Sequence, residues 1–347
     1  MTEDPGLTFQ RKKEHIELCL TDKVNFKHKT NGFERYEFEH YAITEVEKDR
    51  IEFSTIFLKK KINYPFLISC MTGGTAESEI INERLAIAAN ELNIPMGVGS
   101  QRLNIENNNN DQSYKVIRKV APSIPLMGNL GASQIVKMNN FGKVQKIVDL
   151  IESDAMVIHL NASQELMQFK GEPDFSGFLR KMEKLVKKIT VPVIVKEVGA
   201  GISKKAAEKL LGVGVKGIDV AGAGGTSWSA VEILRSKVET DNIFWDWGLP
   251  TSFCIREVFK LKKEHKFVLI GSGGICTASE AAKAFALGAD IAASAKIILQ
   301  ELFKNGEKGV VKLVVSWFEV IKNIMFLTGS HKINELKNRL ILKDKLY

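Results

Sequence analysis

Cysteine is scarce in this chain. Four residues, Cys19, Cys70, Cys254 and Cys276, lie far apart among 347, with no CxxC pair and no histidines at zinc-ligand spacing. That placement excludes a disulfide scaffold and a small zinc module, and it predicts reduced, apolar thiols in a cytoplasmic protein. Long apolar runs are missing too. The N-terminal MTEDPGLTFQRKKEH is polar throughout and offers no signal region. Val310 to Leu327, the most apolar late segment, is interrupted by Lys312, Glu319 and Lys322, which a membrane span rarely tolerates. No membrane partner is expected. Acidic residues are in deficit, 41 against 49 Lys and Arg, giving a formal charge of +8 and a pI near 9.1. An anionic partner is favoured. Nucleic acid is not expected, because no helix-turn-helix, zinc finger or basic segment with interleaved aromatics is present; the lysine runs at 59–61 and 260–263 read as solvated faces.

A hydrophobic share of 44% in 347 residues can bury a sizeable core. After roughly the first 60 residues, short β-type runs alternate with amphipathic helical stretches in the manner of βαβ units. The strand candidates are YPFLISCM (64–71), PMGVGS (95–100), IPLMGNLG (124–131), AMVIHLN (155–161), VPVIVKEVG (191–199), GIDVAGAG (217–224), FVLIGSGG (267–274) and ADIAASA (289–295). Helices are expected at Glu77–Leu92, Phe175–Ile189, Lys204–Leu211 and Ala278–Leu287, among others. Such a set predicts an α/β fold, a single (β/α)8 TIM barrel over 64–330, with an N-terminal extension (1–63), C-terminal helices and a tail (331–347). An open doubly wound sheet is the alternative.

Several strands end in polar residues: Thr72-Gly73-Gly74, Ser100-Gln101-Arg102, Asn129, His159-Leu160-Asn161, Lys196-Glu197, Asp219 and Thr226-Ser227. Their recurrence predicts one shared mouth, since barrel active sites gather at the C-terminal strand ends. GSGGI (271–275) and GADIAASAK (288–296) occupy the last two strands, where barrels bind phosphate with backbone N–H groups and a helix N-terminus. Lys196 sits inside the apolar VIVKEVG and needs an anion or a shifted pKa to offset desolvation. An internal salt bridge, a Schiff-base lysine and a cation facing an anionic cofactor all meet that need.

RKKEH (11–15), MTGGT (71–75), GVGSQR (97–102), GNLGA (128–132), HLNASQE (159–165), VKEVGAGIS (195–203), DVAGAGGTSW (219–228) and GSGGI (271–275) closely resemble the type 2 isopentenyl diphosphate isomerase family, in order and over most of the chain. The resemblance implies a flavin-dependent TIM barrel that interconverts isopentenyl and dimethylallyl diphosphate using reduced FMN, with NADPH as reductant and a divalent cation such as Mg2+. It places FMN on Cys70, Met71, Thr72, Ser100, Asn129, Lys196 and Thr226, and its phosphate near Gly274, Ile275, Ala295 and Lys296. It places the substrate diphosphate on Arg11, Lys12, His15, Ser100, Gln101, Arg102, Asn161 and Gln164, and the metal on Glu165. Reduced FMN would be the acid and base, supported by Lys196, His159 and Gln164. A homo-oligomer, tetramer or octamer, is expected. Ala221 stands where many relatives carry serine, and Cys276 and Lys296 where arginine is frequent; the first two remove possible side-chain contacts to the FMN phosphate. The stretch 40–49 is divergent. The nearest alternative, an FMN-dependent barrel oxidoreductase of 2-hydroxy acids, has no evident use for the RKxxH set or for SQE, and a catalytically silent flavin scaffold is the other.

Overall fold

The computed structural model describes residues 5–106, 112–236 and 242–343. Helix α1 (Pro5–Cys19) is followed by β1 (Tyr36–Phe38) and a hairpin of β2 (Thr55–Phe57) and β3 (Lys60–Ile62). The barrel begins at β4 (Phe66–Ile68), α2 (Ala76–Leu92), β5 (Met96–Gly97), α3 (Arg102–Glu106), α4 (Gln112–Val120), β6 (Leu126–Gly131), α5 (Ala132–Lys137) and α6 (Gly142–Leu150). It continues through β7 (Ala155–Leu160), α7 (Ala162–Met167), α8 (Phe178–Val186), β8 (Val193–Glu197), α9 (Lys204–Gly212), β9 (Gly217–Asp219) and α10 (Trp228–Ser236). It closes with α11 (Thr251–Phe259), β10 (Val268–Gly271), α12 (Ala278–Ala286), β11 (Ile291–Ser294) and α13 (Lys296–Leu327), before β12 (Leu340–Leu342).

Strands β4 to β11 pair in parallel in chain order, and β11 returns to β4, so the eight form a closed barrel. Every strand segment expected from the sequence is there, but each strand proper is shorter than its apolar run. YPFLISCM contributes only Phe66–Ile68; Tyr64 and Pro65 lead into the strand, and Ser69, Cys70 and Met71 follow it into the loop at the mouth. Helix starts follow local chemistry. Thr75 caps α2, Ser203 caps α9, and Thr277 with Glu280 forms a capping box on α12, each satisfying amides that a helix start leaves open.

The period-2 alternation of the strands divides the core into two. Phe66, Ile68, Met156, Ile158, Val193, Val195 and Ile218 point outward and pack beneath the helices. Leu67, Met127, Ala155, Val157, Ile194, Ile270, Ile291 and Ala293 fill the barrel interior together with Phe57 and Ile62 of the hairpin. The hairpin thereby stops the N-terminal end of the barrel, and Lys60 fixes it through an ion pair to Asp154 at 2.8 Å. The same alternation carries the inward face upward to Asn129, His159, Lys196 and Asp219, the next inward positions after Met127, Val157, Ile194 and Gly217.

Two features lay outside the sequence-based expectation. Within the stretch read as a tail, β12 pairs antiparallel with β1, Tyr36 facing Leu342; residues 344–347 lie outside the described residues. The divergent 40–49 stretch runs without regular structure up to a short helical turn at Lys48–Arg50, with Val46 buried and the Tyr41 amide donating to the Leu327 carbonyl. Gly306, at φ 74, interrupts α13. Among the described residues no helix is long and apolar enough to cross a membrane.

Candidate active site

A cavity of about 540 Å³ opens at the C-terminal ends of the barrel strands. Its floor is the upper inward layer of the barrel and its roof is α1, which contributes Arg11, Lys12, His15, Ile16 and Cys19. The roof is tied down by backbone bonds from Phe26 to the Gly225 carbonyl (3.1 Å) and from Ser227 to the Val24 carbonyl (2.8 Å). Lys12 adds a hydrogen bond from Nζ to the Gly73 carbonyl.

The residues expected to hold a flavin lie along one side. Cys70, Met71, Thr72, Ser100, Asn129, Lys196, Thr226, Gly274, Ile275, Ala295 and Lys296 all line the cavity. Gly225 and Gly274 pass so close that a Cβ on Gly225 would lie 2.7 Å from the Gly274 Cα, and Gly273 and Gly274 hold φ of 107 and 67. Only glycine meets both demands. This thin-walled loop, beside the open amides that begin α13, fits a phosphate. Lys296, expected near the phosphate, also has partners in the N-terminal segment. Its Nζ donates to the Thr21 carbonyl (2.6 Å), Asn25 Oδ1 (2.8 Å) and Asp22 Oδ1 (2.9 Å), so the ammonium fastens the segment below α1.

Lys196 is 7% exposed. Its Nζ donates to the Glu197 carbonyl at 2.5 Å and lies 3.6 Å from Asp219 Oδ2. The internal anion weighed for it is therefore Asp219 and not the Glu197 carboxylate. Glu197, on the opposite face of the strand, accepts from the amides of Val198 (2.6 Å), Gly199 (2.8 Å) and Ala200 (2.6 Å) with one oxygen. Burial nonetheless pushes its pKa up against those bonds. His159 neighbours Lys196 across the β7–β8 ladder, and its Nδ1 is 2.8 Å from Asn129 Oδ1. Asn129 uses its Nδ2 on the Val98 carbonyl at 3.0 Å, so Oδ1 accepts and His159 Nδ1 carries the proton, an assignment made from the network. Burial, then the Lys196 charge, push the His159 pKa down to about 3. The ring is neutral near pH 7, with Nε2 left as an acceptor.

The opposite side is built from α1, the β5 loop and the start of α7. Arg11, Lys12, His15, Arg102, Asn161, Gln164 and Glu165 line it. Asn161 Nδ2 donates to Glu165 Oε1 at 3.0 Å and to Gln164 Oε1 at 3.2 Å. Glu165 Oε2 accepts from the Glu172 amide at 2.8 Å. Asn161 Oδ1 is buried without a hydrogen-bond partner among the described residues. An orphaned oxygen beside a carboxylate suits a hard cation that takes further oxygens from its ligand. Among the described residues no cluster of three His, Cys, Asp or Glu stands ready to hold a metal by itself.

Gln101 does not reach the cavity. Its side chain is fully buried, with Oε1 accepting from the Asn129 amide at 3.0 Å and Nε2 directed at the Ile147 carbonyl at 3.4 Å. It braces the floor from behind. Conversely, Glu232 was not singled out from the sequence. It is fully buried on α10, accepts from Gln164 Nε2 (3.0 Å) and from His15 Nε2 (2.8 Å), and pairs with Arg235 at 2.6 Å. Burial opposes its ionisation, but the His15, Gln164 and Arg235 contacts together hold its pKa down to about 2. Burial also lowers the pKa of His15, which leaves a neutral ring donating to an ionised carboxylate. Its one visible signal was a glutamate three residues before an arginine in WSAVEILRS. Trp228 meets His15 edge to face, with centroids 5.1 Å apart.

The barrel, its glycine cradle and the lysine on its floor define a flavin-type α/β barrel. The family model described as FMN-dependent dehydrogenase matches residues 143–343. A flavocytochrome b2 variant with sulfite bound shares the fold at a TM-score of 0.72 and 20% identity, over 97% of this chain and 85% of that one. A mandelate oxidase variant shares it at 0.66 and 14%, over 96% and 98%. Closer in sequence is the isopentenyl-diphosphate delta-isomerase of Chlorobium phaeobacteroides, 42% identical over 353 residues, covering 97% of this chain and 96% of the relative. That of Pyrococcus abyssi is 44% identical over 341 residues, covering 95% and 91%. This chain belongs to the isopentenyl-diphosphate delta-isomerase family, built on the FMN-dependent dehydrogenase barrel.

Proposed function

We propose that the chain interconverts isopentenyl and dimethylallyl diphosphate, with FMN on the glycine-lined side of the cavity and the diphosphate on the α1 side. The observation that carries the arrangement is the meeting, in one cavity, of a glycine cradle with a buried lysine and a cationic set from α1 and the β5 loop. Moving the double bond requires a proton at one alkene carbon and loss of another two carbons away, with no net oxidation. Reduced FMN, when bound, supplies that acid–base chemistry at its ring nitrogen. Cys70, Met71, Thr72, Ser100, Asn129, Lys196 and Thr226 would hold the ring, and Gly274, Ile275, Ala295 and Lys296 would lie about its phosphate.

The protein side chains bind, orient and exclude water. Lys196 would present a cation to the reduced ring and favour its negative charge. Neutral His159 adds no second positive charge to the floor. Arg11, Lys12 and Arg102 hold the diphosphate, arginine with two parallel bonds. Gln164, held by Glu232 and by Asn161, lines the same region. Glu165 and Asn161 Oδ1 would offer oxygens to Mg2+, which would bind together with the diphosphate. The α1 roof keeps water from a reacting tertiary cation, and Trp228 can border that cation with its ring face. NADPH is the proposed reductant, and the chain is proposed to work as a cytoplasmic homo-oligomer.

Anaerobic proton NMR of isopentenyl diphosphate in deuterated water, with the protein, FMN, Mg2+ and catalytic NADPH, tests the reading. Dimethylallyl diphosphate should accumulate in many equivalents over NADPH, with deuterium in the carbon skeleton. NADPH loss equal to product, without deuterium, would point to an oxidoreductase instead.

A further inference from the structure

The floor of the barrel holds a second buried charge that the reaction as described leaves idle. Asp219 ends β9 and is 2% exposed. In the β8–β9 ladder it stands opposite Lys196. Its Oδ2 lies 3.6 Å from Lys196 Nζ, and its Oδ1 accepts from Ser272 Oγ at 2.5 Å. Lys196 and Ser272 both line the cavity. One carboxylate therefore touches the cation read as facing the flavin ring and the hydroxyl of the loop read as cradling its phosphate.

The surrounding groups leave this pair as the charges of the layer. The Glu197 carboxylate is turned away onto three backbone amides. His159 is neutral, and burial pushes the Cys70 thiol up to about 12. In a water-poor floor an ammonium acts strongly on whatever lies above it, and a carboxylate that holds it in place sets how close it comes. We propose that Asp219 is a positioning residue that fixes the Lys196 ammonium under the flavin and sets how much of its positive charge reaches the ring. The inference rests on the reading that FMN occupies this side of the cavity. Asp219 thus tunes how readily the flavin takes up and keeps the electrons that turnover requires, without touching ring or substrate.

The sign follows from electrostatics. Neutralising Asp219 releases the ammonium to move toward the electron-rich reduced ring, which moves the midpoint potential positive only while Lys196 is present; neutralising Lys196 moves it negative. The test is anaerobic spectroelectrochemistry of FMN-loaded wild type, Asp219→Asn, Lys196→Met and the double variant. The expected result is a positive shift in Asp219→Asn that shrinks strongly when Lys196 is already methionine. No shift in Asp219→Asn, or an equal shift in both backgrounds, overturns the proposal, because the carboxylate would then be inert or would act on the ring directly. Should Asp219→Asn fail to fold or hold FMN, Lys196→Met, in which Asp219 keeps the bond from Ser272 Oγ, and the double variant, whose neutral pair leaves no lone buried charge, remain comparable. Near-coincident potentials there support the relay, and a positive shift in the double variant as large as the whole drop from wild type to Lys196→Met overturns it. A wild-type chain that takes up no FMN overturns the cofactor reading itself, an outcome distinct from FMN uptake with unmoved potentials.

Discussion

His15 and Glu232 are 217 positions apart in sequence, yet His15 Nε2 lies 2.8 Å from Glu232 Oε1. That contact ties the roof of the cavity to its wall. Because the same carboxylate oxygen accepts from Gln164 at 3.0 Å, one change should disturb both sides of the site.

Glu232→Gln is expected to keep the shape but lose the charge that steadies Arg235 and His15. Breaking such a buried set costs about 1–3 kcal/mol. The folded pKa near 2 lies below the ordinary 4.5, so the wild-type carboxylate contributes stability that is full above about pH 4.5 and is lost as pH falls through about 2. Urea titrations between those limits should show that slope in wild type and a flatter one in the variant, with KM for isopentenyl diphosphate raised at neutral pH.

His159 gives a second acid-sensitive step of the same sign. Its pKa falls from 6.5 to about 3 on folding, so the unfolded chain takes up a proton first as pH drops. Stability tied to His159 is present above pH 6.5 and declines toward pH 3. Replacing it by glutamine should remove that decline, read from thermal melts across the range, while lowering turnover.

For Glu165→Gln the expectation concerns the metal. The fold and FMN spectrum should stay unchanged, and half-maximal activation should need at least roughly 10-fold more Mg2+. A magnesium titration that overlays the wild type would make Glu165 a structural acceptor for Asn161 and the Glu172 amide.

Lys296→Met should loosen the segment that hangs from its three acceptors. Losing those bonds at about 1–3 kcal/mol predicts faster limited proteolysis between Cys19 and Asn25 and a KM raised roughly 5- to 100-fold, with FMN still bound.

At the other end of the barrel, Phe57→Ala should destabilise the fold by about 3–5 kcal/mol. Phe57 is 2% exposed and packs with the barrel interior, far from the mouth, so KM at low temperature should not change.

The barrel was readable from sequence because strands buried on both faces are written as short unbroken apolar runs. His159 and Lys196 stood out for the same reason, as ionisable residues continuing an inward-facing run. Their neighbours were harder. Gln101 follows Ser100 and precedes Arg102, both at the cavity, and the motif gives no sign that its own side chain turns into the core. Glu232 could not be picked out, since its partners at the cavity, His15 and Gln164, come from α1 and α7, and no local pattern joins those segments to α10. Asp219 was visible as a polar strand end but acquired its partner only when β8 and β9 were set in register. The role of Lys296 was hidden likewise, because its acceptors lie in a loop without periodicity.

The pairing of β1 with β12 bears on how the molecule is made. A ribosome releases α1 and β1 first, and the barrel strands follow one by one. Strand β1 then waits through the synthesis of every barrel strand for the residues that complete its ladder. The N-terminal segment is therefore secured at this point only after the whole barrel has been made, so the two ends of the chain are fastened together as the last act of folding.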